Sequence, residues 1–294
     1  MELRDLLESW MLSLKVEARA PNTLKAYRAG VEAYLDWCAK EGLPAELDRG
    51  QVRSWIAALM DAGAEPATAN ARQSAVKRFS KWLFEEGEQD GDTLAGLRPV
   101  KMGEKLVEPL SEEEMRALLK AADGKDFQAR RDTAILRVLF NTGLRANEVI
   151  ALTLDDVDLG AGVITVRKSK VGRGRVVGIG PQTAQAIDRY IRIRRTHRLA
   201  DSPALWLGTR GRTFAYAALW DSLKGRAQAA GVTRWHPHLA RHTAASRWLE
   251  RGGSEGGLMA VGGWSQRSMM DRYSRATASQ RAVDEAKRLG LDDL

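Results

Sequence analysis

Apolar residues recur every three or four positions through the first hundred residues, a period that only a helix can bury on one face. Leu3, Leu6, Leu7, Trp10 and Leu14 form one such row. After a break at Ala20-Pro21-Asn22-Thr23, a second row of Leu24, Tyr27, Val31, Tyr34, Leu35 and Cys38 ends near Gly42. Val52, Trp55, Ile56 and Leu59 predict a helix over about 48–62, and Val76, Phe79, Trp82 and Leu83 one over about 66–86. Four helices of this length make a small bundle. A chain of 294 residues is long enough for two domains, each with its own core. The expected division is 1–88 for the bundle, 89–109 for a linker with Gly, charge, Pro99 and Pro109, and 110–294 for a second domain.

The second domain opens with Ser111-Glu112-Glu113-Glu114, a capping-box pattern. Helices are expected over about 111–122 and 127–141. Two β-like runs follow, Val163-Ile164-Thr165-Val166 and Arg175-Val176-Val177-Gly178-Ile179. Pro181 suits a first helical position and starts a helix expected to run to about 199. Further helices fit about 213–230, 239–251, 254–262, 266–273 and 277–289. The fold class is therefore mostly α with a small antiparallel β-sheet, either one hairpin or three strands.

Charge divides unevenly between the halves. Residues 1–105 hold 15 Lys and Arg against 17 Asp and Glu, whereas the rest holds 31 against 21. The stretch 167–198 has ten Lys and Arg with Asp188 as its one acid, the footprint of a polyanion partner. The single cysteine, Cys38, excludes an intramolecular disulfide framework and a Cys-rich zinc site. No apolar run reaches the roughly 18 residues of a membrane span, and the acidic, amphipathic N-terminus is a poor signal peptide. A soluble, intracellular protein with no membrane partner is expected.

Two familiar patterns fail on their spacing. Gly172, Gly174 and Gly178 lack the three-residue gap of a dinucleotide fingerprint. His236, His238 and His242 cluster, but Arg241 in the same turn opposes a cation, so no metal and no cofactor is expected.

Five separated segments share a different logic. Thr142-Gly143-Leu144-Arg145-Ala146-Asn147-Glu148 ends one helix and starts another, with Arg145 and Glu148 on one face. Lys170 sits in the turn between the β-runs, with Lys168 its rival. His238 and Arg241, three apart, put an imidazole beside a guanidinium. Gly262-Gly263-Trp264 follows, and Tyr273 comes nine residues after Trp264.

In order and spacing these motifs resemble the tyrosine recombinase family, the phage integrase and Xer-type enzymes. The resemblance covers essentially the whole chain. It implies a four-helix, SAM-like core-DNA-binding domain, a catalytic domain and a helical tail at about 276–294. Residue by residue it implies Arg145 and Arg241 as the phosphate-holding arginines, Lys170 as general acid, His238 as proton carrier and Tyr273 as nucleophile. Trp264 stands where most members have His, and Glu148 supports the site. The implied reaction cleaves and rejoins DNA through a 3′-phosphotyrosine and a Holliday junction, without metal or ATP. Lys25, Arg28, Arg72, Lys77, Arg78, Arg173 and Arg175 are the expected DNA contacts. The implied partners are double-stranded attachment or recombination sites, a homotetramer with tail exchange, and a directionality factor. The run GGSEGGLMAVGGW favours a phage-type integrase, and the early start of the bundle pattern one without an arm-binding domain. An Xer-like resolvase, a type IB topoisomerase-like enzyme and a catalytically silent DNA-binding protein remain alternatives.

Overall fold

The computed structural model describes residues 2–101, 103, 107–167, 174–211, 213–266, 270, 282–283 and 285–286. The chain forms two compact units, Met1–Lys105 and Leu106–Leu294.

In the first unit the four apolar rows become α1 (Leu3–Val16), α2 (Pro21–Lys40), α3 (Arg49–Asp61) and α4 (Pro66–Glu85). Pro21 and Pro66 occupy first-turn positions whose N–H has no helical partner in any case. Asp48 caps α3 by accepting from the Gln51 N–H at 2.9 Å. The core gathers the aromatic residues of all four rows. Trp10 stacks on Tyr27 at 5.5 Å and meets Phe79 at 5.2 Å, while Tyr34 meets Trp55 at 5.1 Å. Gly30 lets α2 close on α4, since a Cβ there would lie 2.6 Å from the Ala75 Cβ.

Residues 92–100, inside the stretch read from sequence as linker, are fastened to this bundle. Leu94 and Leu97 are buried in its core. Arg49 donates to the carbonyl of Thr93, Gln73 to that of Arg98 and Lys77 to that of Leu97. Asn70 takes both sides of Val100, at 3.0 and 2.7 Å. Apolar spacing could not announce this strap because it has no helical or strand period.

The second unit is built round α6. After α5 (Glu112–Ala121), capped by the reciprocal Ser111–Glu114 box, α6 (Phe127–Thr142) runs through the core with Ala134, Ile135, Leu136, Val138 and Leu139 buried. A short α7 (Ala146–Ile150) leads to β1 (Val157–Asp158), β2 (Val163–Val166) and β3 (Arg175–Gly178). The strands pair antiparallel in the order β1-β2-β3, with Val166 opposite Arg175. Ile164 and Val166 face the core while Val163 and Thr165 are only half-buried, the alternation of a sheet packed on one side. Then come α8 (Pro181–Arg194), α9 (Tyr216–Ala229), α10 (Pro237–Glu250) and α11 (Glu255–Gly262). The mostly helical fold with one small antiparallel sheet is the expected class. The helices expected over 266–273 and 277–289 lie largely outside the described residues.

Helix α8 ends five residues earlier than its pattern suggested, and Arg194 supplies the reason. Its buried guanidinium donates to the carbonyls of Ala200, Ser202, Ala204 and Leu205 at 2.6–3.1 Å. These carbonyls belong to a turn that the helix would otherwise have to overrun. Arg194→Leu should therefore destabilise the second unit by about 3 kcal/mol or more, since buried carbonyls left unpaired cost roughly 1–3 kcal/mol each. Thermal unfolding of the full chain checks this, and faster amide exchange over 199–205 should accompany the loss.

Candidate active site

The site lies wholly within the second unit and begins where α6 stops. Gly143 takes the left-handed conformation at φ +62°, and its N–H closes the helix on Leu139 at 3.0 Å. A Cβ at this position would sit 3.2 Å from the Ala244 Cβ of α10, so glycine also permits the close crossing. That crossing presents the Gly143 carbonyl to Arg241, whose Nη1 donates to it at 2.8 Å.

Two residues on, Arg145 is the N-cap of α7 and Glu148 its third residue. Glu148 reaches back to accept the Arg145 backbone N–H at 2.9 Å and Arg145 Nη1 at 3.1 Å. Arg175 of β3 meets the same carboxylate with two parallel bonds, at 3.0 and 2.8 Å. Burial pushes the Glu148 carboxyl up, but the Arg175 hydrogen bond, the Arg145 amide and both positive charges outweigh it. The net effect holds the carboxyl below the ordinary carboxylate range.

The far wall is the end of α11. This helix is capped at its start by Ser254, which accepts from the Gly257 N–H, and is closed by Gly263 at φ +62°. The last carbonyls of a helix have no partner within it. Here three arginines from three elements take three in a row. Arg175 Nε donates to Val261 at 2.7 Å, Arg241 Nη2 to Gly262 at 2.7 Å and Arg145 Nη2 to Gly263 at 3.4 Å. The chain then folds Trp264 back, its N–H bonded to Met259 at 3.0 Å. The Arg241 guanidinium carbon lies 4.6 Å from the centre of the Trp264 ring, a cation–π contact.

The three histidines part company on α10. His236 is the N-cap, its Nδ1 accepting the Leu239 N–H at 3.1 Å, and burial with His238 nearby lowers its pKa. His238 is exposed one turn before Arg241. His242 is buried and hydrogen-bonds the Val107 carbonyl, while Thr243 accepts the Leu110 N–H at 2.9 Å. Those two residues anchor the start of the second unit. Among the described residues no three His, Cys, Asp or Glu side chains converge as a metal-ligand set. No described helix is long and apolar enough to cross a membrane.

Of the residues singled out in sequence, the structure brings together Arg145, Glu148, Arg241 and Trp264, with His238 on the helix that carries Arg241. Lys170, Arg173 and Tyr273 lie outside the described residues, as does nearly all of the tail at 276–294. Arg175, expected on DNA, is turned inward with its side chain 10% exposed. In the bundle Arg28 pairs with Glu8 and Glu32, and Lys77 holds the strap. Lys25 and Arg78 are exposed and Arg72 half-exposed, with Arg78 over the Tyr27 ring at 5.7 Å. The basic stretch 167–198 is also partly internal. Arg167 pairs with Asp156 and Arg192 with Asp188, and Arg194 is buried. Charge density registers arginines without their partners, so Arg175 and Arg194 could not be told from surface cations.

The described site thus holds three guanidinium groups against one carboxylate, with an imidazole at its edge. Such an arrangement can hold the oxygens of a phosphodiester and stabilise charge that develops on them.

Comparison with known proteins agrees across both units. Residues 7–87 match the phage integrase N-terminal SAM-like domain, and residues 108–280 match the phage integrase family. Tyrosine recombinase XerC of Pseudomonas fluorescens is 33% identical over 247 residues, covering 83% of this chain and 82% of that protein. Tyrosine recombinase XerD of Ralstonia nicotianae is 31% identical over 236 residues, covering 79% and 77%. Among solved structures, the XerH site-specific recombinase bound to palindromic difH substrate overlays with a TM-score of 0.75. That overlay covers 90% of this chain and 79% of the other at 17% identity, a likeness of fold. Fold and relatives together define the class as enzymes that break and rejoin DNA by transesterification. Within that class the chain belongs to the tyrosine recombinase family, the one its motifs resemble.

The Glu148 carboxylate gives the site a pH signature. A carboxyl depressed in the folded state contributes stability above its unfolded value near 4.5, and loses it as pH falls through the lower folded value. Glu148→Gln should cost about 3 kcal/mol at neutral pH, because it leaves Arg175 without its charge partner. In urea unfolding the gap between the wild-type and variant chains should shrink as pH drops below about 4.5. A gap constant down to acid pH would exclude this pairing.

Proposed function

We propose that this chain is a site-specific recombinase that cuts duplex DNA at short sites and reseals it through a 3′-phosphotyrosine. One observation carries the reading: Arg145 and Arg241 are hydrogen-bonded to the carbonyls of consecutive residues, Gly263 and Gly262. Two fixed positive groups are thereby aimed into one place. A phosphodiester under attack gathers negative charge on its non-bridging oxygens, and fixed donors that need no rearrangement stabilise that charge most.

Tyr273 is the proposed nucleophile. Its phenolic oxygen bonds to phosphorus as the bond to the 5′-oxygen breaks, and its proton passes to His238. Lys170 delivers a proton to the departing 5′-oxygen, leaving a 5′-hydroxyl. One phosphodiester is exchanged for another, so rejoining by the reverse steps needs no energy source. Trp264 packs against the Arg241 guanidinium and takes no proton. Glu148 orients Arg145.

On the same reading the bundle binds the duplex through its outward cations, Lys25, Arg72 and Arg78, with Arg173 contacting DNA from the second unit. Four chains act on two sites through the tail at 276–294. The motif runs favour a phage-type integrase, which would call for a directionality factor. The relatives at 31–33% identity are Xer proteins, and that observation favours an Xer-like resolvase as the second reading.

The test starts from cells expressing the chain or Tyr273→Phe. After denaturing recovery, DNA covalently attached to the protein is sequenced. One short site, present only with Tyr273, is expected. A phage attachment site supports the first reading and a chromosomal resolution site the second; scattered attachment points to a topoisomerase-like enzyme instead. On that site Lys170→Ala should slow cleavage by about 100-fold or more, within the range of general acid catalysis. A 5′-thio leaving group, which departs without a proton, should restore the rate, and failure to do so would remove Lys170 from that role.

A further inference from the structure

Arg175 is one of the seven basic residues that sequence placed on DNA, and its surroundings suit another task. We infer that Arg175 is a positioning residue for strand cleavage, holding Arg145 in its working place through Glu148 and tying β3 to the carbonyl end of α11. The inference rests on the site reading above.

Each nitrogen of the Arg175 guanidinium already donates. Nε bonds the Val261 carbonyl at 2.7 Å, and the two terminal nitrogens bond the two Glu148 oxygens at 3.0 and 2.8 Å. The two-pronged end of the fork, which would grip a phosphate, is thus already held by a carboxylate. The side chain is 10% exposed, and its guanidinium packs tightly on Gly263, 3.1 Å from where a Cβ would lie.

The charges explain why the arrangement matters. Glu148 is shared: Oε1 takes Arg175 and Arg145 side-chain nitrogens, and Oε2 takes Arg175 and the Arg145 backbone N–H. Two guanidiniums on one carboxylate leave an excess positive charge, so Arg145 remains attractive to a phosphate. Without Arg175, Glu148 and Arg145 form a neutral pair. A buried carboxylate then draws Arg145 fully onto itself and away from the Gly263 carbonyl. Arg175 also fastens β3 to α11, so the strand five residues after Lys170 in sequence is anchored to the wall that carries the other two arginines.

The full chain, Arg175→Gln, Arg175→Lys and Arg175→Ala are compared on the site recovered with Tyr273. Affinity is measured across salt concentration and single-turnover cleavage at saturating DNA across pH. Affinity and its salt slope should stay at the wild-type values in all three variants. Cleavage should fall about 100-fold in Arg175→Gln, the scale of one lost transition-state donor, and less in Arg175→Lys, which keeps the charge but not the fork. The acid limb of the rate profile should move to higher pH in Arg175→Gln, because Glu148 loses the partner that lowers it most. Added guanidinium ion should restore part of the Arg175→Ala rate.

Cleavage at the wild-type rate in these variants overturns the inference. So does a salt slope reduced by about one with saturated cleavage intact, which marks a phosphate contact. A slowed rate with an unmoved acid limb and no rescue reduces Arg175 to a structural residue. A wild-type chain that forms no Tyr273-dependent adduct removes the recombinase reading itself, a result distinct from the other three.

Discussion

The second unit depends on how a short helix ends. Helix α11 finishes with carbonyls that no residue of its own can satisfy, and the chain does not leave them to water. Arginines from α10, from the start of α7 and from β3 arrive at Val261, Gly262 and Gly263. Taken singly, each is an ordinary arginine–carbonyl bond, modest in net worth. Together they fasten three segments far apart in sequence to one helix end. The same bonds aim the charges that a phosphate would meet on the proposed reading, in which folding and function use one set of contacts.

The balance of charge within the site follows from that geometry. Three guanidiniums gathered round one helix end would repel one another, and Glu148 sits between two of them. It offsets part of the repulsion and leaves an excess positive charge for a ligand. Arg241 rests on the Gly143 and Gly262 carbonyls and on the face of Trp264. Carbonyl dipoles and an indole face steady a cation without cancelling its charge. The indole also does not titrate, so that support does not change with pH.

Much of this was legible in the sequence because it is periodic or ordered. The four apolar rows of the bundle, the Ser111 cap, the Pro181 start and the two β-runs each carry a local signal, and each became the expected element. The arginines, Glu148 and Trp264 were legible as an ordered set of motifs, and no spacing rule alone would have joined them. What was not legible depends on partners distant in sequence. The strap at 92–100 is held by side chains from α3 and α4, and nothing within it foretells them. Arg194 ended α8 early by binding the turn beyond it. Arg175 looked like a surface cation because its partners, Glu148 and Val261, lie 27 and 86 residues away. A row of charges in a sequence gives their number, and only the fold gives their direction.

Gly263 carries no functional group, yet it stands at the junction of the site. Its left-handed backbone strains any other residue, and a Cβ there would press on the Arg175 guanidinium at 3.1 Å, closer than ordinary contact. An added carbon would press Arg175 away from Glu148, and that carboxylate would then draw Arg145 onto itself. In genetic terms the site therefore presents a larger target than its chemistry suggests. A null allele here need not touch any group that meets the substrate, and its defect would match that of losing an arginine. Revertants of such an allele would arise where the backbone is given back its space, in β3 or at the end of α11, and not among the residues proposed to hold the phosphate.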